Sequence, residues 1–495
     1  MKRKLAKNTI SSLLFQITSV TCGFILPRLI LESYGTNVNG LVNSITQFLT
    51  VIAFLELGVG AVVQSSLYKP LADEDNAAVS KIIVSANKFF RNLARILLVY
   101  IIFLMISYTF ITNTDYDWQY TAVLIGAIGI SSFAQYYFGM VDRLLLTADQ
   151  RGYIQYNAQT ITLIMNTLAS VIFIKLGASI QVVKLVTSLI YLLRPVFLRY
   201  YVNKHYSIDR RIKYEGEPIK QKWNGMAQHL SAVVLDSTDN IVLSVFSTMA
   251  NVSIYSVYHL VLYGVKNLCL SMTNGIQAVL GRLWAEQKIK ELHSFFGQIE
   301  WIIHNATVFV FGCTGVLVVP FVRVYTLGIN DANYLQPLFG CLLTMAHAGH
   351  CLRLPYNMMI LAGGHYKETQ HNYISAVILN IVISVLSVHA WGLIGVALGT
   401  LSAMVYQTVW MAHYNSKNLL QWPFKNFLKQ IVVDIIMVLT AVFFTKGLEL
   451  GAVNYFSWFV MAVKTAIIWL TVLILYNCIF YRENVITVKN KLLKR

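Results

Sequence analysis

The segment TADQRGYIQYNAQTITLIMNTLASV, residues 147–171, returns in pattern as LAGGHYKETQHNYISAVILNIVISV at 361–385, an offset of 214 residues. Ala148 falls on Ala362, Ile164 on Ile378, Asn166 on Asn380 and Val171 on Val385. Each copy passes from a polar turn into an apolar run long enough for a membrane-spanning helix. The same offset carries TNV at 36–38 onto ANV at 250–252. One helical unit is therefore built twice.

The rest of the 495 residues agrees with a membrane setting. The chain is 56% hydrophobic and 12% charged, against about 25% charged in a soluble domain. Apolar stretches near 20 residues fall at about 10–31, 41–67, 88–112, 119–142, 156–176, 180–202, 226–247, 251–280, 300–322, 335–361, 370–390, 393–414, 428–448 and 456–480. The spacing predicts an all-α polytopic membrane protein of about 14 transmembrane helices. Helices one to six repeat as seven to twelve. An even number of spans separates the copies, so both have the same orientation, and a parallel repeat is related by a pseudo-twofold axis along the membrane normal. The expected organisation is an N-lobe at 1–202, a cytoplasmic linker at 203–225, a C-lobe at 226–414, an extra helix pair at 428–480 and a basic tail at 481–495. Short amphipathic surface helices are expected at 68–90 and 281–299.

Charge assigns the sides. Of 39 Lys and Arg, 30 lie in segments on the side of the N-terminus, four on the other side, and five (Arg28, Arg194, Lys266, Arg353 and Lys464) within predicted spans. The positive-inside rule then places both termini in the cytoplasm. The net charge of +17 is thus mostly topology signal, and no nucleic-acid partner is expected. The opening MKRKLAK with its apolar run reads as an uncleaved first span, because the run passes 20 residues without a cleavage pattern.

Chemical motifs are sparse. The six cysteines fall in apolar runs without paired spacing, which indicates packing and neither disulfides nor zinc. No Gly-rich phosphate loop with its Lys occurs, and GVG at 58–60 lacks a dinucleotide pattern. His347 and His350 have no evident third ligand. No cofactor, metal or catalytic residue is expected, and the chain reads as no enzyme.

Polar groups inside the spans carry the functional reading. Tyr255, His259, Tyr263 and Lys266 are spaced to form one face of a helix, as are His347, His350, Arg353 and Asn357, with Pro355 loosening the second. Facing lipid would cost such stripes several kcal/mol, so they are expected to face a wet cavity. Arg28 follows Pro27, and Arg194 precedes Pro195. Mid-membrane cations suit an anionic substrate, and Arg binds phosphate bidentately. Candidate substrate-binding residues are Arg28, Lys266, Arg353, His259, His350, Tyr255 and Asn357. Asp236 and Asp239, three apart on one helix, and Glu56 in LELGVGA are candidates either for ion coupling or for counter-charge to the cations.

LVNSITQFLTVIAFLELGVGAVVQSSLYKPLADED, TDNIVLSVFSTMANVSIYSVYHLV and ADQRGYIQYN resemble the polysaccharide and oligosaccharide flippases of the multidrug/oligosaccharidyl-lipid/polysaccharide (MOP) exporter superfamily. The resemblance extends over nearly the whole chain as a pattern of phrases. It implies a bacterial inner-membrane protein of two six-helix lobes plus two helices that moves an undecaprenyl-diphosphate-linked repeat unit outward by alternating access. The diphosphate and sugars would enter a cationic central cavity, with Arg28, Lys266 and Arg353 as its cations by position. The implied partners are a lipid-linked oligosaccharide and membrane lipids, with a proton or sodium ion and other polysaccharide assembly proteins as further candidates. A lipid II-like precursor flippase is chemically close. An ion-coupled multidrug exporter would want an acidic cavity, yet the spans hold five cations against Glu56, Asp236, Asp239 and Asp434. A membrane-embedded glycan polymerase would be expected to carry a sizeable outer loop, and the outer loops are short.

Overall fold

The computed structural model describes residues 2–51, 54–214, 216, 219, 226–273, 275–420 and 423–486. Among them there are seventeen α-helices and no strand. In order they are α1 (Lys2–Thr50), α2 (Phe54–Ala72), α3 (Asn76–Ile111), α4 (Trp118–Ala134), α5 (Met140–Ala148), α6 (Gly152–Lys175), α7 (Ile180–His205), α8 (Met226–Phe246) and α9 (Met249–Met272). Then follow α10 (Ile276–Ala285), α11 (Ile289–Tyr325), α12 (Pro337–Leu352), α13 (Leu354–Ala362), α14 (Tyr366–Trp391), α15 (Leu393–Tyr414), α16 (Phe424–Thr445) and α17 (Tyr455–Phe480). Glu56 belongs to α2, but its side chain lies outside what is described, as do much of the 203–225 linker and the tail beyond residue 486.

Ten segments among the described residues are long and apolar enough to cross a bilayer. Of the helices that carry the polar residues singled out above, α8 and α9 are not among them because those residues dilute their apolar windows, and α12 is not because the break at Arg353 ends it after 16 residues. The expected spans at 10–31 and 41–67 meet in α1, which is broken at Gly35, whose φ of 84° only glycine adopts readily. The second of these spans ends in α2. The short surface helices expected at 68–90 and 281–299 are replaced by continuous ones. Asp75 caps α3 by accepting from the Ala78 amide at 2.9 Å, and no Gly or Pro interrupts the next 36 residues. A helix with no breaker has no reason to stop at the membrane surface.

The internal repeat is visible in the helix boundaries. Shifted by 214 residues, α5 coincides with α13, α6 begins where α14 begins, and α3 superposes on α11 to within one residue. A π-helical turn at Gln135–Gly139 separates α4 from α5, and its counterpart is the break at Arg353 between α12 and α13. Both repeats thus interrupt the same helix at the same place, where freed backbone groups must be satisfied by protein rather than lipid.

The chain divides into two compact units, Met1–Ser253 and Ile254–Arg495. In the first, α1 packs on α6, α6 on α7, and α4 on α3 and α7. Helix α8, which opens the second repeat in sequence, packs on α1 and α2 and is part of this first unit. Asn39 donates to the Ser253 hydroxyl at 2.7 Å, and these two residues are counterparts at the 214-residue offset. Beside them, a Cβ placed on Gly40 would lie 1.8 Å from the Met249 carbonyl oxygen. Gly40→Ala is therefore expected to cost about 3 kcal/mol or more, since backbone must move to admit one methyl. A loss of monodisperse protein on size-exclusion chromatography checks this, with Gly60→Ala, where the nearest neighbour is a flexible Leu144 side chain at 3.7 Å, as the tolerated comparison.

In the second unit α14 and α15 cross closely, with Gly395 against the Ser387 backbone and Gly399 against Ser384. The helix pair α16–α17 lies outside the repeat yet is fixed to α11. The Trp469 ring covers Gly312, where a Cβ would meet it at 1.9 Å, and Val308, Met437, Ala441 and Val472 surround it.

Candidate functional site

Two polar constellations stand out within the helices, one in each unit. In the second unit the two predicted stripes meet. Along α9 the rings of Tyr255, His259 and Tyr263 stack in succession at 5.4 and 5.3 Å, and the Lys266 ammonium lies 4.7 Å from the Tyr263 ring centre. His259 of α9 lies 5.7 Å from His347 of α12, which joins the faces. On the second stripe, Arg353 Nη2 donates to His350 Nδ1 at 3.0 Å, and the Tyr373 hydroxyl donates to Asn357 Oδ1. Lys266 and Arg353 are close enough to act electrostatically on His350. Tyr255, Lys266, His347 and Arg353 are all buried, while Tyr263 is exposed at one edge. Six of the seven substrate-binding candidates, Arg28 being the other, therefore belong to this unit.

Pro355 explains why Arg353 points where it does. A proline at the second position of α13 supplies no N–H, so the helix breaks just before it and Arg353 becomes a junction residue. Arg28 behaves differently. It is one half-buried member of an ion pair with Glu32, one turn on in α1, at 2.6 Å.

The aspartates of α8 have unlike surroundings. Asp239 is buried at 2% exposure and Asp236 is exposed. Three residues along a helix turn the side chain by about 300°, and here that difference separates core from surface.

The first unit holds a cavity of about 340 Å³ that the sequence did not announce. It is lined by Gln135, Arg143, Gln159, Tyr191 and Arg194, with Ser19, Ser131 and Ser132. No Asp or Glu is among its lining residues. The Arg194 guanidinium lies 5.2 Å from the Tyr191 ring centre and donates to Thr162 Oγ1 at 3.1 Å, and its Nε–H has no hydrogen-bond partner among the described residues. Asn166 donates to the Tyr191 hydroxyl at 2.8 Å. The π-turn brings Gln135 to the wall, and Gly139 lets α7 approach, its absent Cβ being 2.9 Å from Pro195. The span expected at 119–142 ends just before Arg143, whereas α5 continues to Ala148 and carries Arg143 to the cavity. The Arg194–Pro195 pair was the sequence signal for this place.

Where α5 and α7 end, the first unit closes with a charged knot. Asp142 is fully buried and receives Arg199 at 3.3 Å and Arg210 at 3.5 Å. Nearby Tyr206 donates to Asp149 at 2.6 Å, and burial, then that carboxylate, push its phenol far above the ordinary tyrosine range, so it remains a donor. Lys4 reaches the same Asp149 at 3.3 Å, which brings the N-terminus to this end of the unit. Among the described residues no cluster of His, Cys, Asp and Glu is arranged to hold a metal.

At the level of sequence, neither a protein-family model nor a curated protein matches the chain. Solved structures do resemble it. The lipid II flippase MurJ in an inward closed conformation aligns with a TM-score of 0.71 at 14% identity, over 97% of this chain and 99% of that one. An inward-facing multidrug resistance MATE family transporter of the MOP superfamily gives 0.62 at 13% identity, over 83% and 97%. The Vibrio cholerae MATE transporter VcmN gives 0.58 at 12%, over 85% and 98%. The chain is a multi-pass membrane protein, and its fold is the one that MurJ and the MATE transporters of the MOP superfamily share.

Proposed function

We propose that the chain is a flippase that carries an undecaprenyl-diphosphate-linked oligosaccharide across the bacterial inner membrane by alternating access, with both termini cytoplasmic. The observation that carries this reading is the arginine-lined cavity of the first unit, which has Arg143 and Arg194 and no carboxylate on its wall. Its volume is enough for a diphosphate and part of a sugar. Fixed guanidinium groups in low-dielectric surroundings favour an anion and disfavour a cationic drug. The second unit offers a complementary surface, where stacked Tyr255, His259 and Tyr263 suit sugar faces and Lys266 and Arg353 suit phosphate oxygens.

The likeness to MurJ over 97% of the chain favours a second reading, a lipid II-like precursor as substrate. Both substrates share a lipid diphosphate, so the cavity serves either. Proteoliposomes holding the protein and a fluorescent lipid-linked oligosaccharide, lipid II or a cationic dye separate the cases. Flipping of the oligosaccharide substrate with no dye export is the expected result. Dye export alone would overturn the reading.

Arg353→Ala should lower flipping about tenfold or more while the protein stays in the membrane, because a charged hydrogen bond to phosphate contributes about 1.5–3 kcal/mol. Arg353→Lys should restore only part of the rate, since an ammonium cannot bind two oxygens in one plane. Initial rates at matched protein content check both.

A further inference from the structure

A chain of buried titratable groups crosses the second unit on α11, α13 and α16, beside the second polar stripe. On α11, Glu300 and His304 are one turn apart on the same face, and on α16 the same spacing holds for Gln430 and Asp434. Tyr356 of α13 lies between the carboxylates. Its hydroxyl donates to Glu300 Oε1 at 2.5 Å and is 3.5 Å from His304 Nε2. His304 Nδ1 is 2.6 Å from Asp434 Oδ2, and Gln430 donates to Asp434 Oδ1 at 3.1 Å. All five residues are 5% exposed or less. One end of the chain is open. Glu300 and Gln430 also line a polar cavity of about 370 Å³, together with His293, Trp301, Lys429, Tyr481 and Glu483.

We propose that this Glu300–Tyr356–His304–Asp434 chain is a proton-binding site loaded from that cavity, and that its proton count sets how firmly α16 docks on α11 and α13. With His304 neutral and its Nδ1–H facing Asp434, two ionised carboxylates leave the buried set with two negative charges, which is costly. A proton arriving at Glu300 halves that charge. From there it moves inward without net loss: the Glu300 hydroxyl gives its proton to the Tyr356 oxygen as the Tyr356 hydroxyl gives its own to His304 Nε2. The reverse shift returns it to Glu300, and Tyr356 is unchanged after either. Lys429, His293 and Glu483 line the mouth, and both carboxylates are within electrostatic reach of Tyr481.

The internal repeat supplies the comparison. Tyr356 is the counterpart of Asp142, and Glu300 and His304 are the counterparts of Ala86 and Phe90. In the first unit the corresponding position is clamped by Arg199 and Arg210, whose charge does not titrate in the working range. The second unit has replaced a permanent ion pair by groups that can change charge, and places them under a helix that the first unit lacks.

Infrared difference spectra of the full-length protein in lipid, recorded between about pH 5 and 8, test the site without reference to transport. A protonated-carboxylic-acid carbonyl band that titrates in wild type and is lost in Glu300→Gln is expected. Tyr356→Phe should keep the band but remove the pH-dependent imidazolium ring band that accompanies it in wild type, because the shift from Glu300 to His304 is cut. A wild-type spectrum unchanged by Glu300→Gln, or an imidazolium band unaffected by Tyr356→Phe, would overturn the proposal. Asp434→Asn should also make thermal stability less dependent on pH, and an unaltered dependence speaks against it. A pH-gradient arm in proteoliposomes rests on the flippase reading. If wild type moves no lipid-linked substrate, that reading fails while the infrared result stands.

Discussion

Arg194→Ala should reduce flipping of a diphosphate-linked oligosaccharide between tenfold and a hundredfold at subsaturating substrate, with little change in the amount of folded protein. The guanidinium is half-buried on the wall of the first unit's cavity, and its contacts with Thr162 and Tyr191 leave the Nε–H without a protein partner. A phosphate in the cavity would pair with the guanidinium charge on its wall. Removing such a charged hydrogen bond costs about 1.5–3 kcal/mol, and at RT of about 0.6 kcal/mol that is the stated loss of rate. Arg194→Lys should recover part of it. Folding should survive, because Asn166 continues to hold Tyr191 and α6 still packs on α7. Initial rates in proteoliposomes, with melting temperature measured alongside, give the answer. A wild-type rate for Arg194→Ala would remove this cavity from the substrate path.

Asp142→Ala should act on stability instead. Its carboxylate is fully buried between two arginines, and deleting it leaves both cations facing each other in low dielectric. Breaking a buried pair from the side of the buried partner costs about 3–5 kcal/mol. Arg210→Ala should cost clearly less, because Arg210 is a quarter exposed, also bonds Asn203 at 2.9 Å, and leaves Arg199 with the carboxylate. Thermal unfolding in detergent should therefore rank Asp142→Ala well below Arg210→Ala. The opposite order would mean that the knot is held from the arginine side.

Much of the architecture was legible in the sequence because it depends on local properties. Hydropathy is summed over a window, so helices such as α6, α7 and α14 were expected close to where they lie. The 214-residue offset survived into three dimensions as matching helix boundaries, since equal spacing of turns gives equal helices. That α9 and α12 each carry a polar stripe followed from periodicity, because residues three and four apart share a face. A hydropathy window closes where a helix carries charge, so the span at 119–142 stops one residue short of Arg143 although the helix runs on to Ala148.

Pairing across the chain belonged to the tertiary structure alone. Arg143 and Arg194 are 51 positions apart and His304 and Asp434 are 130 apart, and no spacing rule links them. They meet because α7 comes in over Gly139 and because α16 and α17 settle on α11 around Gly312 and Trp469. The same holds for the aspartates of α8, whose sequence positions are nearly equivalent while only Asp239 is buried. Sequence determined which segments are helices, that they repeat, and which residues are costly to place in a membrane. Which of those residues would share a cavity was decided by the faces that close packing turns toward one another, and that is a property of several helices at once.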